Sequence, residues 1–123
     1  RGSIPPSLGS LSRVRHLSLS ENSLSATIPT ELGGLRNLTL LSLRVNRLAG
    51  QIPSELGRLW SLEWLGLHNN QLTGYVPEEL GDLLEYGNCK EVKLQGNKLR
   101  GDIDFLCVQN FSLKVMEADC IEE

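Results

Sequence analysis

The sequence predicts an α/β solenoid, because one pattern of residues returns at a fixed interval along most of the chain. Asparagines recur 24 residues apart at Asn22, Asn46 and Asn70, and Asn97 follows after 27. A proline-containing pair keeps the same 24-residue step, at Ile4-Pro5, Ile28-Pro29, Ile52-Pro53 and Val76-Pro77. A period of this size is typical of stacked units that bury their apolar side chains only against their neighbours. The period therefore decides the fold class before any propensity is considered.

The first half of each unit predicts a short strand that ends at the asparagine. Leu65 and Leu67 are two residues apart, so both side chains lie on one side of an extended segment. Strands of successive units would stack as a parallel sheet at about 4.8 Å spacing. Asn70 ends the strand, and its amide can bond backbone groups inside the turn. The four asparagines are thus predicted to form an internal ladder.

The second half of each unit predicts a short helical turn on the other side of the solenoid. Pro53 has no N–H and a fixed φ, which suits the first residue of such a turn. Glu55 follows two residues later, in the first turn, where a carboxylate is favoured. In the fourth unit Tyr86 occupies a leucine position and Asp104 a proline position, and three extra residues near 84–86 explain the 27-residue step.

These residues resemble the plant-type extracellular leucine-rich repeat, whose consensus is LxxLxLxxNxLxGxIPxxLG. The clean copy spans 59–81, and the match covers residues 2–103. The chain is similar to receptor-like protein ectodomains and polygalacturonase-inhibitor-like proteins. The resemblance implies a right-handed superhelix with a parallel β-sheet on its concave face and 3₁₀ or short helical turns on its convex face. It divides the chain into four repeats at 1–104, without an N-terminal cap, and a C-terminal cysteine-containing cap at 105–123.

The cysteines and two glycosylation motifs favour an oxidising compartment. The resemblance implies a capping disulfide between Cys107 and Cys120, whereas Cys89 stands in a leucine column and is expected to be a buried free thiol. Asn37 and Asn110 each begin an Asn-x-Ser/Thr acceptor motif. Together these features predict a glycoprotein of the secretory pathway, placed outside the cell or at its surface. There is no CxxC and no paired histidine, so no zinc site, other metal site or cofactor is expected.

Charge and motif content argue against several other functions. The formal charge is −3, with +4 over residues 1–58 and −7 over 59–123, which does not favour a nucleic-acid partner. No run of 18 apolar residues predicts a membrane span in this chain. His16 and His68 fall two repeats apart in different columns, and no serine elbow or phosphate-binding loop is present. Catalysis is therefore not expected.

The residues between the strand leucines should point outward from the concave face and form columns across the repeats. Leu40 should lie beside Trp64, both facing solvent, with glycine at 66 leaving room for the indole. An exposed aromatic residue, an aliphatic neighbour and an arginine are typical interface anchors. The competing explanation is that these exposed apolar residues arose by sequence drift and have no function. The predicted ligand-binding residues are His16, Leu40, Arg44, Trp64, His68, Glu91 and Lys93.

Two classes of function remain open at this point. The first is a non-catalytic recognition module that binds a protein, peptide or glycan by its concave face, as part of a receptor-like or secreted protein. The second is a structural subunit of an extracellular or cell-surface assembly, docked edge to edge through its uncapped first repeat. Ice binding, known for some proteins of the resembled family, needs a regular array of Thr or Asn. The outward columns mix Arg, Trp, Glu and Lys instead.

Overall fold

The computed structural model describes residues 2–101, which form four coils stacked in chain order. Each coil contributes a strand on one side and a short helix on the other, as the repeat predicts. The predicted cap at 105–123 lies outside the described residues. The strands within them are β1 Gly2–Ser3, β2 His16–Ser18, β3 Leu24–Ser25, β4 Leu40–Ser42, β5 Ala49–Gly50, β6 Trp64–Gly66, β7 Gln71–Tyr75, β8 Glu91–Lys93 and β9 Lys98–Arg100.

The principal sheet is parallel, with strand order β2-β4-β6-β8. Its first row pairs His16 with Leu40, Leu40 with Trp64, and Trp64 with Glu91. This register confirms both the 24-residue step and the 27-residue step into the fourth coil. Two smaller parallel sheets, β1-β3 and β5-β7-β9, follow the asparagine turns and were not predicted.

Three helical turns adopt the 3₁₀ form, at Pro6–Ser10, Thr30–Gly34 and Ser54–Arg58. A proline directly precedes each of them. Pro53 therefore lies just before its helical turn, whereas the sequence had suggested that it is the first helical residue. Pro53 has φ −66° and ψ 134°, and its carbonyl accepts a bond from the Leu56 amide at 3.2 Å. The proline therefore fixes the entry of the chain and supplies the first acceptor of the turn.

The fourth coil has a true α-helix, α1, at Glu79–Glu85. Leu80, Leu83 and Leu84 are buried. Residues three and four positions apart lie on the same face of an α-helix, so these leucines form one apolar face. Leu83 occupies the column that the first leucine of the repeat fills in the earlier coils, because its carbonyl accepts a bond from the Cys89 amide. The prediction that Tyr86 fills this column is wrong, since Tyr86 is 69% exposed. The three extra residues thus lengthen the turn into α-helix.

Three of the four predicted ladder asparagines, Asn46, Asn70 and Asn97, connect their coil to the one before it, whereas Asn22 bonds only within its own coil. Asn70 Nδ2 donates to the carbonyl of Leu43 in the preceding coil at 2.9 Å and to Leu67 in its own coil at 3.1 Å. Asn70 Oδ1 accepts from the Leu48 amide at 3.0 Å. Asn46 and Asn97 repeat this pattern. One buried side chain therefore satisfies backbone groups of two coils at once.

Burial increases from the first coil to the interior coils. Leu41, Leu65 and Val92 of the principal sheet are fully buried, whereas Leu17 in the same column is only half-buried. Leu11 is 47% exposed. Cys89 is buried, as predicted, and has no disulfide partner within residues 2–101. Its burial raises the pKa of the thiol to about 11, so it is protonated at neutral pH.

Two positions in every coil have positive φ, a backbone conformation that the repeat pattern alone did not reveal. The residue before each ladder asparagine is one of them, including Val45 at 56°. The second is the consensus glycine, as at Gly50, where an added Cβ would lie 2.9 Å from the Thr27 methyl of the preceding coil. Ala26 occupies this position in the first coil at φ 64°. The residue that corresponds to Thr27 one coil earlier is Ser3, whose shorter side chain leaves room for the methyl group of Ala26.

We expect Asn70→Ala to lower the free energy of unfolding by about 1–3 kcal/mol, because it leaves buried carbonyls and an amide unpaired. Asn22→Ala is the matched control. Asn22 is exposed and bonds only Leu19 and Ser20 of its own coil. Urea denaturation of both variants checks this, and equal losses would contradict a structural role for the bonds between coils.

We expect Ala26→Gly to stabilise the chain by roughly 1 kcal/mol, since an L-residue with a Cβ is strained at positive φ. Ala49→Gly should act in the opposite direction and cost about 0.5–1 kcal/mol, because Ala49 has ordinary strand geometry. Thermal unfolding of the two variants gives the comparison. A loss of stability in Ala26→Gly would show that the strain is absent.

Candidate functional site

The outer side of the principal sheet, here called the sheet face, brings most of the predicted ligand-binding residues together. It corresponds to the concave face expected from the sequence. Leu40 and Trp64 are direct partners on adjacent strands β4 and β6, and both are half-buried instead of fully facing solvent. His16 and Glu91 continue the same row on either side. His16 is exposed on the edge strand β2.

The indole of Trp64 lies flat along its own strand because the next outward residue is glycine. A Cβ added at Gly66 would overlap the six-membered ring of the indole. The ring crosses Gly66 and meets His68 edge-on, with centroids 6.3 Å apart and an interplanar angle of 87°. This T-shaped arrangement is a favoured geometry for aromatic pairs. The glycine therefore provides the space predicted for the indole.

His68 differs from its sequence-based prediction, because the side chain is buried to 9% exposure instead of facing solvent. Trp64 packs against it, and its Nδ1 has no hydrogen-bond partner among the described residues. Burial lowers the pKa of His68 below the ordinary 6.5, and the positive charges of Lys93 and Arg44 lower it further. Glu91 acts in the opposite direction. A neutral imidazole thus supports the indole at neutral pH.

The charges around this aromatic pair are arranged in two ion pairs. Arg44 contacts Glu21 of the preceding coil at 2.8 Å, and Lys93 contacts Glu91 at 3.5 Å. The Lys93 ammonium also lies 6.0 Å from the centroid of the Trp64 ring. Ion pairs that remain accessible to solvent contribute little stability, about 0–1 kcal/mol. Their chief effect is to leave polar groups of both signs beside an apolar centre.

We define the Trp64 patch as Leu40, Trp64, His68, Arg44 and Lys93. Sequence reasoning brought these residues to one face but missed the partner of Arg44. That partner is Glu21 of the preceding coil, and only the ion-pair geometry links it to the arginine. The patch offers an apolar surface with cations on both sides. It can bind an extended ligand, and it contains no nucleophile paired with a general base.

Asn37, a predicted glycosylation residue, is not part of the Trp64 patch. Asn37 is exposed, and its amide donates to the Ser12 carbonyl of the preceding coil at 2.7 Å. Asn110, Cys107 and Cys120 lie outside the described residues. Within 2–101, no group of three or more His, Cys, Asp and Glu side chains is placed to hold a metal ion. None of the helices in this part of the chain has the length and apolarity required to cross a membrane.

Solved structures of several plant proteins resemble this fold. The ectodomain of the membrane receptor kinase GASSHO1/SCHENGEN3 from Arabidopsis thaliana, in complex with CASPARIAN STRIP INTEGRITY FACTOR 2, is 42% identical with a TM-score of 0.78 over 83% of this chain. The Arabidopsis HAESA ectodomain, in complex with an IDA peptide hormone, is 31% identical with a TM-score of 0.81 over 93%. A plant ice-binding protein is 34% identical with a TM-score of 0.79 over 85%.

The chain spans only a fraction of these proteins: 12% of the GASSHO1/SCHENGEN3 chain, 20% of the HAESA chain and 34% of the ice-binding chain. A sequence search among curated proteins gave no significant match. The family model described as Leucine Rich Repeat matches residues 13–35, 37–59 and 61–83, which together exceed half of the chain. Its units agree with the coils of the structure, and the chain therefore belongs to the leucine-rich repeat family.

Proposed function

We propose that this chain is a non-catalytic ligand-binding region of an extracellular, receptor-like protein and that it binds a peptide on the sheet face. The observation that carries the proposal is the Trp64 patch, in which an indole is held in one orientation on a regular sheet. The similar HAESA ectodomain has been solved with a peptide hormone ligand, which supports a peptide as the ligand class.

The structure of the patch supports recognition of an extended ligand. Successive strands place their outward side chains in straight rows, and the row through Leu40 and Trp64 crosses adjacent coils. A ligand lying across the strands would meet one side chain from each coil. Apolar contact with the Trp64 indole would supply most of the affinity, because buried aromatic anchors dominate such interfaces. The cations of Arg44 and Lys93 would orient the acidic groups of the ligand.

The patch is also ordered before any ligand arrives. Gly66 and His68 confine the indole, so little side-chain freedom remains to be lost on binding. The ion pairs hold Arg44 and Lys93 beside it. A mixed row of this kind offers no regular array of Thr or Asn, which argues against ice binding despite the resemblance to the ice-binding protein.

We expect Trp64→Ala to weaken peptide binding by about 2 kcal/mol or more, which corresponds to roughly 30-fold in affinity. Linear peptides would be selected from a phage-displayed library on the 123-residue chain, and their affinities measured by interferometry. Trp60→Ala is the matched control, since Trp60 is a half-exposed indole outside the principal sheet. Gly66→Ala should also weaken binding by displacing the indole. Selected peptides that bind Trp64→Ala and wild type equally would contradict the proposal.

We also expect the stability of the patch to fall as the pH drops from 7.5 to 5.5. The folded-state pKa of His68 lies below its unfolded value near 6.5, so the unfolded chain binds the proton more readily in this range. The urea midpoint of the wild type should therefore fall as the pH is lowered from 7.5 to 5.5. His68→Phe should abolish the decrease, whereas His16→Gln should retain it. A similar slope in His68→Phe would assign the effect to other groups.

A further inference from the structure

A basic cleft lies away from the sheet face, at the turns that lead from the 3₁₀ helices into the principal strands. It has a volume of about 490 Å³, and we call it the Trp60 cleft. Trp60 is 49% exposed, and neither arginine of the cleft takes part in the ion pairs found within residues 2–101. The cleft therefore offers guanidinium groups beside an open indole ring. Its lining residues are Gly33, Gly34, Arg36, Arg58 and Trp60.

The following coil presents a ridge of the opposite charge. Glu78, Asp82 and Tyr86 are spaced four residues apart, so they lie along one side of α1, opposite its buried leucines. The amide of Tyr86 donates to the Asp82 carbonyl at 2.8 Å, which continues the helical spacing as far as the tyrosine. All three side chains are exposed, and Tyr86 is exposed to 69%. We call this row the α1 ridge.

The cleft and the ridge adjoin each other in one chain. α1 packs directly against the 3₁₀ helix at Ser54–Arg58. Arg58 and Asp82 occupy the same position in adjacent units, each after a Leu-Gly pair, yet neither belongs to an ion pair found within residues 2–101. The Trp60 ring lies against Gly87, the residue after the ridge, where an added Cβ would be 3.2 Å from Cε3. One continuous surface therefore changes from basic and concave to acidic and projecting across neighbouring coils.

This change of charge and shape decides which kind of partner fits. A wholly acidic partner would meet like charge at the ridge, and a wholly basic partner would meet like charge at the cleft. A second copy of the chain, turned about a twofold axis between the third and fourth coils, presents its ridge to the cleft and its cleft to the ridge at once. The matching groups are Arg58 with Asp82 and Trp60 with Tyr86, and each match occurs twice. Such an isologous contact is closed, so association stops at two copies.

We propose that two copies of this chain form a symmetric dimer through the Trp60 cleft and the α1 ridge. Tyr86 of each copy enters the cleft of the other beside Trp60, and Asp82 of each copy pairs with Arg58 of the other. Trp, Tyr and Arg are the residue types that contribute most to interface affinity, and the ion pairs fix the orientation of the two copies. The surface lies outside the principal sheet, so the sheet face stays open and the dimer does not depend on the peptide-binding proposal.

Sedimentation equilibrium of the 123-residue chain measures this association directly. We expect a reversible equilibrium between the 13.6 kDa monomer and a dimer of twice that mass. Raising the salt concentration from about 0.05 M to about 0.5 M should weaken the dimer, because ion pairs are screened. Trp60→Ala and Tyr86→Ala should each weaken it by about tenfold or more. Trp64→Ala is the matched control, since that indole lies on the sheet face, and it should leave the dimer unchanged.

Charge reversal separates this contact from general electrostatic attraction. Arg58→Glu and Asp82→Arg should each abolish the dimer, because like charges then meet at both copies of the ion pair. An equimolar mixture of the two variants should form a heterodimer, since opposite charges face each other again at both pairs. The double variant Arg58→Glu/Asp82→Arg should regain the homodimer for the same reason. Arg47→Glu is the matched control, because Arg47 is an exposed arginine that does not line the cleft, and it should retain the dimer.

Several results would overturn the proposal, provided that thermal midpoints close to wild type show the variants to be folded. A chain that stays monomeric up to about 1 mM would do so. Failure of the two charge-reversed variants to pair with each other would exclude the Arg58–Asp82 contact. Growth beyond two copies would exclude the closed twofold arrangement. A dimer that persists in Arg58→Glu but is lost in Ser18→Pro would instead assign association to the edge strand β2.

Discussion

The asparagine ladder is the interaction on which the stacking of the coils depends. Each chain turn after a principal strand leaves backbone amides and carbonyls inside the molecule, where water cannot reach them. Asn46, Asn70 and Asn97 bond these groups in their own coil and in the coil before it. Leucine packing supplies the larger hydrophobic gain, but it is non-directional. The directional amide bonds fix the register in which the leucines stack, and the rows of the sheet face follow from that register.

A fixed register separates the residues that maintain the fold from the residues that can vary. Inward leucines and the ladder asparagines cannot change without leaving cavities or unpaired polar groups. Outward positions have no such restriction, which is why His16, Leu40, Trp64 and Glu91 differ within one row. The turns before the strands vary too, since Arg36 and Trp60 occupy the same position in adjacent units. Recognition on this scaffold is therefore a matter of which side chains occupy rigidly spaced positions.

The period of the sequence was enough to predict the coils, the principal sheet, the ladder and the meeting of Leu40 with Trp64. The local backbone geometry could not be predicted from this period. The smaller sheets arise from backbone pairing without an alternating pattern, and positive φ at Val45 or Ala26 conflicts with residue preference. Tyr86 was misplaced because the position of an insertion cannot be read from spacing alone. The burial of His68 depends on how the Trp64 indole lies, and only the coordinates show that the indole folds over Gly66.

The role of the ladder can be tested directly by amide hydrogen exchange under native conditions. The Leu48 and Leu72 amides donate to the side chains of Asn70 and Asn97, each at 3.0 Å. If these bonds hold the coils together, both amides should exchange only through global unfolding, with the free energy measured by urea denaturation. Their exchange should respond to urea as steeply as the global transition. Fast exchange of Leu48 and Leu72 through local opening, while the amides of β4 and β6 stay protected, would contradict the account.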